Sequence, residues 1–168
     1  MKSKRLNNLG KINRDKILNF TWDNKKLSGF EGDSLASALL ANNIGIVGRS
    51  FKYHRPRGIF SSGVEESGAL VTIGSKDRRD PNVRATTQEL FDGLKASGQN
   101  AFPNVNFDLG GINNYIGRFF AAGFYYKTFM GIPPFEWGKG TAIWMLFEKL
   151  IRKAAGMGSA SRLPDPDS

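Results

Sequence analysis

Apolar and polar positions near the start of the chain follow the pattern of a β-hairpin. Residues 17–22 read Ile-Leu-Asn-Phe-Thr-Trp, a run rich in residues that favour strands, and residues 27–30 read Leu-Ser-Gly-Phe. The polar residues 23–26 between them, Asp-Asn-Lys-Lys, are typical of a tight turn. We therefore predict two short strands joined by this turn.

The pattern then changes to that of a helix. Residues 34–42 place leucine and alanine side chains on one face at helical spacing. Asp33 has the side chain of a good N-cap, and the Asn-Asn pair that begins at Asn42 favours the end of the helix. Residues 34–42 are thus predicted to form a helix that begins after Asp33.

The remaining strands of the first half are predicted from short apolar runs. These runs are residues 44–48, 69–73 and 83–86, with a long loop at 49–68 and a polar turn at 74–82. The order hairpin, helix, strand, long loop, strand, strand is that of a β-grasp, an α+β fold in which a mixed sheet packs on one helix. We expect this domain to span residues 16–89, after a flexible basic arm at 1–15.

The second half of the chain has a different character. Residues 90–111 are rich in Asn, Gly and Asp and predict an extended connection, and the following stretch is rich in aromatic residues. Apolar residues at helical spacing predict a helix over 141–155, which Gly156 ends. This aromatic-rich extension, residues 90–158, either packs on another domain or subunit or forms a compact helical subdomain. The tail, 159–168, has the composition of a linker.

Composition narrows the class of protein. The chain has 168 residues, a formal net charge of +9 and no cysteine. Disulfides and zinc fingers are therefore excluded, and a reducing, cytoplasmic location is favoured. The basic N-terminus lacks the apolar segment of a signal peptide, and no apolar run is long enough to suggest a membrane span.

Positive charge is concentrated in a segment that also carries aromatic residues, and two kinds of partner suit it. Basic and aromatic residues together can line a groove for single-stranded nucleic acid, or they can dock on an acidic partner subunit. No helix-turn-helix or RNP-type pattern supports nucleic acid, so we favour a protein partner. The predicted partner-contact residues are Arg49, Lys52, Tyr53, His54, Arg55 and Arg57.

The sequence gives little support for a catalytic site. His54 is the one histidine, and no obvious aspartate orients its ring, which favours packing or partner contact over general-base catalysis. Glu65 and Glu66 are compatible with a paired carboxylate or half of a metal site, but surface charge or salt bridges to the loop arginines are favoured. We assign no catalytic and no cofactor-binding residue.

The loop that contains these carboxylates resembles the metal-binding loop of a plant-type ferredoxin. Residues 57–73 read RGIFSSGVEESGALVTI. A [2Fe–2S] cluster needs thiolates at C-x₄-C-x₂-C, and this spacing falls on Ser61, Glu66 and Ala69. None of the three supplies a thiolate, so the loop predicts a scaffold domain rather than an electron carrier. A redox domain with an unusual metal centre is the less favoured alternative.

Longer segments extend the resemblance. The stretches GFEGDSLASALLAN (29–42), RSFKYHRPRG (49–58), PNVRAT (81–86) and GFYYKTFM (123–130) are similar to the N-terminal part of the alpha subunits of heterotetrameric sarcosine oxidases. In cysteine-bearing relatives the fourth ligand follows an Arg-Ala pair, which leads here to Thr86. The resemblance implies that all four ligand positions are replaced, by Ser61, Glu66, Ala69 and Thr86.

The resemblance also implies a function for the whole complex. Sarcosine oxidases demethylate sarcosine to glycine, produce peroxide and pass the methyl group to tetrahydrofolate as 5,10-methylenetetrahydrofolate. FAD and FMN belong mainly to the beta subunit and zinc to the delta subunit, whereas the NAD and tetrahydrofolate sites of the alpha subunit would lie beyond Ser168. This chain would be a structural portion without a cofactor of its own, ending in a linker toward an NAD-binding domain.

The partners implied are the remaining domains of the alpha subunit and the beta, gamma and delta subunits. Whether this portion has any catalytic activity of its own is left open. The alternative from a different class is a stand-alone basic module that binds nucleic acid.

Overall fold

The computed structural model describes residues 5–6, 9–75 and 78–116. In chain order, the elements of this part are β1 (Asn13–Trp22), β2 (Lys25–Glu31), α1 (Leu35–Ala41), β3 (Gly48–Arg49), β4 (Pro56–Arg57), β5 (Leu70–Ser75), β6 (Arg78–Arg84), β7 (Lys95–Gly98), a 3-10 helix (Leu109–Ile112) and α2 (Asn113–Ile116). Among these residues, no helix is both long and apolar enough to cross a bilayer.

A mixed sheet of five strands, in the order β2-β1-β7-β5-β6, forms the centre of the fold. β1 and β7 are parallel, whereas β1–β2, β5–β6 and β5–β7 are antiparallel. Helix α1 contributes Leu35, Ala38 and Leu39 to the buried cluster that covers one face of the sheet. The predicted α+β, β-grasp fold is confirmed.

The first hairpin forms as predicted, with a shorter turn. Trp22 pairs with Lys25, so only Asp23 and Asn24 lie in the turn. Both have positive φ, 45° and 66°, as a type I′ turn requires. Residues 18, 20 and 22 of β1 are buried because alternate side chains of a strand point to the same face.

The helix forms where predicted, but the prediction that Asp33 is its N-cap is wrong. Ser34, and not Asp33, caps α1, because its hydroxyl oxygen accepts the N–H of Ser37 at 3.2 Å. Asp33 is buried and binds Arg5 through both carboxylate oxygens, each at 2.8 Å. It also accepts the N–H of Phe30 at 2.9 Å and the hydroxyl of Ser37 at 2.7 Å.

Strand positions were predicted less well. Of the predicted strand at 44–48, residues 44–47 are not a strand. The short strand Gly48–Arg49 pairs with Pro56–Arg57, which lies inside the predicted loop. The predicted polar turn at 74–82 is largely strand, because β5 continues to Ser75 and β6 begins at Arg78. β6 ends at Arg84, so only the first half of the predicted strand at 83–86 is strand and the second half is a turn. The polar side chains of β6 concealed it, since most of this edge strand is exposed.

The sheet continues past residue 89, where we placed the end of the domain. β7, Lys95–Gly98, lies within the predicted extended connection and pairs with both β1 and β5. At the other end, β1 begins at Asn13, inside the predicted arm. Most of the aromatic-rich extension, the predicted helix over 141–155 and the linker at 159–168 lie outside the described residues.

Candidate functional site

The buried carboxylate of Glu66 lies at the centre of the ferredoxin-like loop, here named the Glu66 loop (residues 58–69). One oxygen, Oε2, accepts the backbone N–H of Phe60 at 2.6 Å and of Ser61 at 2.7 Å. The other, Oε1, accepts the N–H of Gly68 at 2.5 Å and of Ala69 at 3.2 Å. Glu66 is 2% exposed. Its side chain therefore lies inside the loop, where it joins the arm at residues 60–61 to the arm at residues 68–69.

The hydrogen bonds keep this carboxylate ionised. Burial alone raises the pKa of Glu66, because a charged group is poorly solvated in the interior. The N–H groups of Ser61, Gly68, Phe60 and Ala69 outweigh burial and lower the pKa to about 2. Glu66 is therefore a buried anion at neutral pH.

The three positions predicted from the cluster spacing, and Thr86, which the resemblance implies as the fourth, do come together. The hydroxyl of Ser61 donates to Glu66 Oε2 at 3.3 Å, and Ala69 is fully buried beside the same carboxylate. The hydroxyl of Thr86 donates to the carbonyl of Gly63 at 2.8 Å, and the N–H of Ala85 donates to the carbonyl of Ala69 at 2.9 Å.

A [2Fe–2S] cluster does not fit these residues. Any cluster held from positions 61, 66 and 69 must lie between them, and the Glu66 carboxylate takes up the backbone N–H groups that face this space. Ala69 has no ligating atom, and no position offers a thiolate. Within the described ranges no group of three His, Asp or Glu side chains is placed to hold a metal ion.

The expectation of a surface charge at Glu66 is wrong. Its partners are main-chain N–H groups, and among the described residues its carboxylate forms no ion pair with an arginine. Glu65 is exposed, as expected. Hydrogen bonds from its own N–H and from Ser61 lower the pKa of Glu65, although slight desolvation by the neighbouring loop opposes the shift.

The basic segment, here named the basic loop (residues 49–57), is held from within by two of its predicted contact residues. Arg49 donates through Nε to the carbonyl of Val105 at 2.8 Å and through a terminal nitrogen to the carbonyl of His54 at 3.2 Å. Its own carbonyl accepts the side-chain amide of Asn100 at 3.1 Å. Arg49 thus fastens the loop to residues that follow β7.

His54 has an acidic partner that its neighbourhood in the sequence does not reveal. Its Nδ1 lies 2.7 Å from Oδ2 of Asp108, a side chain that is 1% exposed. Burial raises the pKa of Asp108, but hydrogen bonds from the Phe102 N–H and from His54 outweigh it and lower the pKa. The expectation that no acidic residue orients His54 is therefore wrong, because residues distant in sequence meet here.

Lys52 and Arg55 of the basic loop lie against one aromatic ring. The ring of Tyr53 lies 4.9 Å from Lys52 Nζ and 4.7 Å from Arg55 Cζ, distances typical of cation–π contacts. Arg55 and Arg57 are exposed, and Arg55 Nε also lies 3.4 Å from the side-chain oxygen of Asn114. The result is an ordered cluster of cations on the surface.

Comparison with known proteins identifies relatives of this sheet and loop. Residues 15–101 match the family model of the 2Fe-2S iron-sulfur cluster binding domain. The sarcosine oxidase subunit alpha of Rhizobium meliloti (strain 1021) is 52% identical over 168 residues, which is 100% of this chain and 16% of that relative. The subunit alpha of Corynebacterium sp. (strain U-96) is 49% identical over 90 residues, 52% of this chain and 9% of the relative.

This chain therefore spans only a small part of the length of the curated relatives it matches, 16% and 9%. Among solved structures, an L-proline dehydrogenase from P. horikoshii aligns with 52% of this chain and 16% of its own at 29% identity. Its TM-score of 0.43 is too low to support a structural argument.

Proposed function

Because this chain belongs to the 2Fe-2S iron-sulfur cluster binding domain family, and its whole length is similar to part of a sarcosine oxidase alpha subunit, we propose that it is a cluster-free structural domain of such a subunit. The Glu66 carboxylate carries this proposal. It binds both arms of the loop in which a cluster would otherwise be held. An electron carrier needs a redox centre, whereas a scaffold needs only an ordered loop.

The proposed setting is a flavoenzyme complex that demethylates sarcosine, or a related N-methyl amine, to produce glycine, peroxide and 5,10-methylenetetrahydrofolate. FAD, FMN, NAD, tetrahydrofolate and zinc would be held by other parts of this cytoplasmic complex. The partners would be the remaining domains of the alpha subunit and the beta, gamma and delta subunits. The family match and the relatives give no support to the nucleic-acid alternative.

The basic loop is the surface that we propose for contact with a neighbouring subunit. Arg49 and His54 are engaged in internal hydrogen bonds, so they would hold the loop rather than touch the partner. Arg55 and Arg57 are exposed, and guanidinium groups form paired hydrogen bonds with carboxylates or phosphates. The matching surface would be acidic, or would present the phosphate of a bound flavin.

The test is co-purification. We would express the tagged chain together with the remaining alpha-subunit domains and the beta, gamma and delta subunits, then record flavin absorbance across a size-exclusion profile. The proposal expects the chain to elute in a large complex that carries flavin. A chain that elutes alone and colourless, while the other subunits assemble without it, would overturn the proposed role.

A further inference from the structure

The Glu66 loop does not suit a metal cluster, but its backbone amides do suit an anion. Four backbone N–H groups, those of residues 60, 61, 68 and 69, converge on one small volume at 2.5 to 3.2 Å from carboxylate oxygens. Backbone amides that point into one concavity form a binding site for anions, because each carries a partial positive charge. A cluster with thiolate ligands is itself anionic, so the same amides suit both occupants.

Among its described contacts, the charge of Glu66 is compensated by these four N–H dipoles and by the Ser61 hydroxyl, which donates to Oε2 at 3.3 Å. The ion pairs in the described part of the chain are Arg5–Asp33, Lys16–Glu31 and His54–Asp108, and none includes Glu66. Arg84 approaches only the backbone carbonyl of Glu66, at 3.2 Å. Because this buried carboxylate has no ion-pair partner in the described part of the chain, the amides act there as an anion site in their own right.

The surrounding backbone is packed to keep these amides in place. A Cβ on Gly68 would lie 2.8 Å from the carbonyl oxygen of Gly58 and 2.9 Å from the ring of Phe60. The two arms of the loop therefore approach each other closely at Gly68, the residue whose N–H donates to Oε1. A larger residue would separate the arms and misplace the donors.

We propose that the Glu66 loop is an anion-binding site for a small carboxylate, which the chain fills from within with Glu66 in place of an iron–sulfur cluster. The side chain acts as a tethered ligand that orders the loop without metal. Free acetate, which matches the atoms removed by Glu66→Ala, binds at the same amides when that side chain is shortened. This inference stands independently of the proposed role in a flavoenzyme.

The experiment is rescue of the full chain by acetate. Glu66→Ala leaves four backbone N–H donors without their acceptor, two of them buried, and we expect its Tm to fall by about 10 °C or more. Sodium acetate, titrated against sodium chloride at constant ionic strength, should raise that Tm along a saturable curve. Acetamide has nearly the same shape but no charge, so it should give no comparable rise.

Glu89→Ala is the matched control, because it makes the same truncation at an exposed glutamate outside the loop. We expect its Tm to change little and acetate to leave it unaltered. Equal effects of acetate and acetamide on Glu66→Ala, or an unchanged Tm in that variant, would overturn the proposal.

If Glu66→Ala does not fold, acid titration of the unaltered chain tests whether one carboxylate holds the four amides. In the unaltered chain, the amide proton resonances of residues 60, 61, 68 and 69 should move together during acid titration, as one carboxylate loses its charge. Resonances that move separately, or that do not respond to acid, would show that no shared anion holds these amides.

Discussion

At the scale of single residues, buried carboxylates with main-chain partners organise this protein at three places. Asp33 joins the N-terminal residues to the start of α1, Glu66 joins the two arms of its loop, and Asp108 joins the basic loop to the segment after β7. In each case hydrogen bonds outweigh burial and lower the pKa. The folded state is therefore favoured when these groups are ionised.

Glu66 gives this argument a direct test. Its pKa of about 2 in the folded chain lies below the ordinary glutamate value of 4.5, so its contribution to stability is complete above pH 4.5 and is lost as the pH falls toward 2. Glu66→Gln places an amide group against backbone donors and should be less stable at neutral pH. The difference in free energy of unfolding between the two proteins should shrink as the pH is lowered from 4.5.

Denaturant titrations at a series of acid pH values would measure this difference. Glu89→Gln, at an exposed site, serves as the control and should follow the unaltered chain throughout. If the difference in free energy of unfolding between Glu66→Gln and the unaltered chain stays constant with pH, the assignment of a buried, ionised Glu66 is contradicted.

At the scale of elements, close packing between β7 and its neighbours fixes the middle of the sheet. A Cβ on Gly98 would meet a side-chain carbon of Val105 and would lie 3.0 Å from the carbonyl oxygen of Val47. Both valines are buried, so neither has open space into which it can move. We expect Gly98→Ala to lower the free energy of unfolding by about 1–3 kcal/mol.

Gly45→Ala is the matched control, because a Cβ at Gly45 has no heavy atom within 4 Å. We expect it to change stability by less than about 0.5 kcal/mol. Urea denaturation of both variants measures the contrast, and equal losses would show that packing around β7 is looser than the structure indicates.

The basic loop is the second element with a measurable consequence. Arg55→Glu combined with Arg57→Glu reverses two exposed charges, and we expect it to reduce recovery of the complex by about tenfold or more if the partner surface is acidic. Arg78→Glu with Arg79→Glu makes the same change at exposed positions of β6 and should leave recovery unaltered. Equal recovery of both double variants in a pull-down would exclude the basic loop as the contact surface.

Local patterns predicted the first hairpin and α1 because their signals lie within a few residues of each other. β7 was missed because Lys-Ala-Ser-Gly has no apolar run, and its place between β1 and β5 depends on pairing across the chain. The site shows the same contrast. The cluster spacing located Ser61, Glu66 and Ala69, and the family resemblance added Thr86. Neither the inward carboxylate of Glu66 nor the partner of His54, which is 54 residues away, has a local signal.

At the scale of the whole molecule, the fold brings the four positions implied for cluster ligands together, although none of them carries a thiolate. The four replaced positions remain close together around Glu66 and Gly63. We expect a variant with Ser61→Cys, Glu66→Cys, Ala69→Cys and Thr86→Cys to take up iron and sulfide during anaerobic reconstitution. It should then show the visible charge-transfer absorption of a [2Fe–2S] cluster.

A variant with the other three cysteines and an unaltered Glu66 is the control for this reconstitution. It should remain colourless, because the carboxylate still satisfies the amides and one ligand is missing. A colourless variant with all four cysteines, shown to be folded by circular dichroism, would mean that the loop has lost the cluster geometry as well as the ligands.

The parallel pairing of β1 with β7 also has a consequence for how the protein is made. Thr21 pairs with Lys95, so the strand that completes the centre of the sheet is the last of the five to leave the ribosome. Until β7 emerges, the β1 side of the completed hairpin is an unpaired strand edge in the nascent chain. Such an edge is prone to pair with other chains. The emergence of β7 from the ribosome, rather than the formation of any local element, sets the moment at which the centre of this sheet can close.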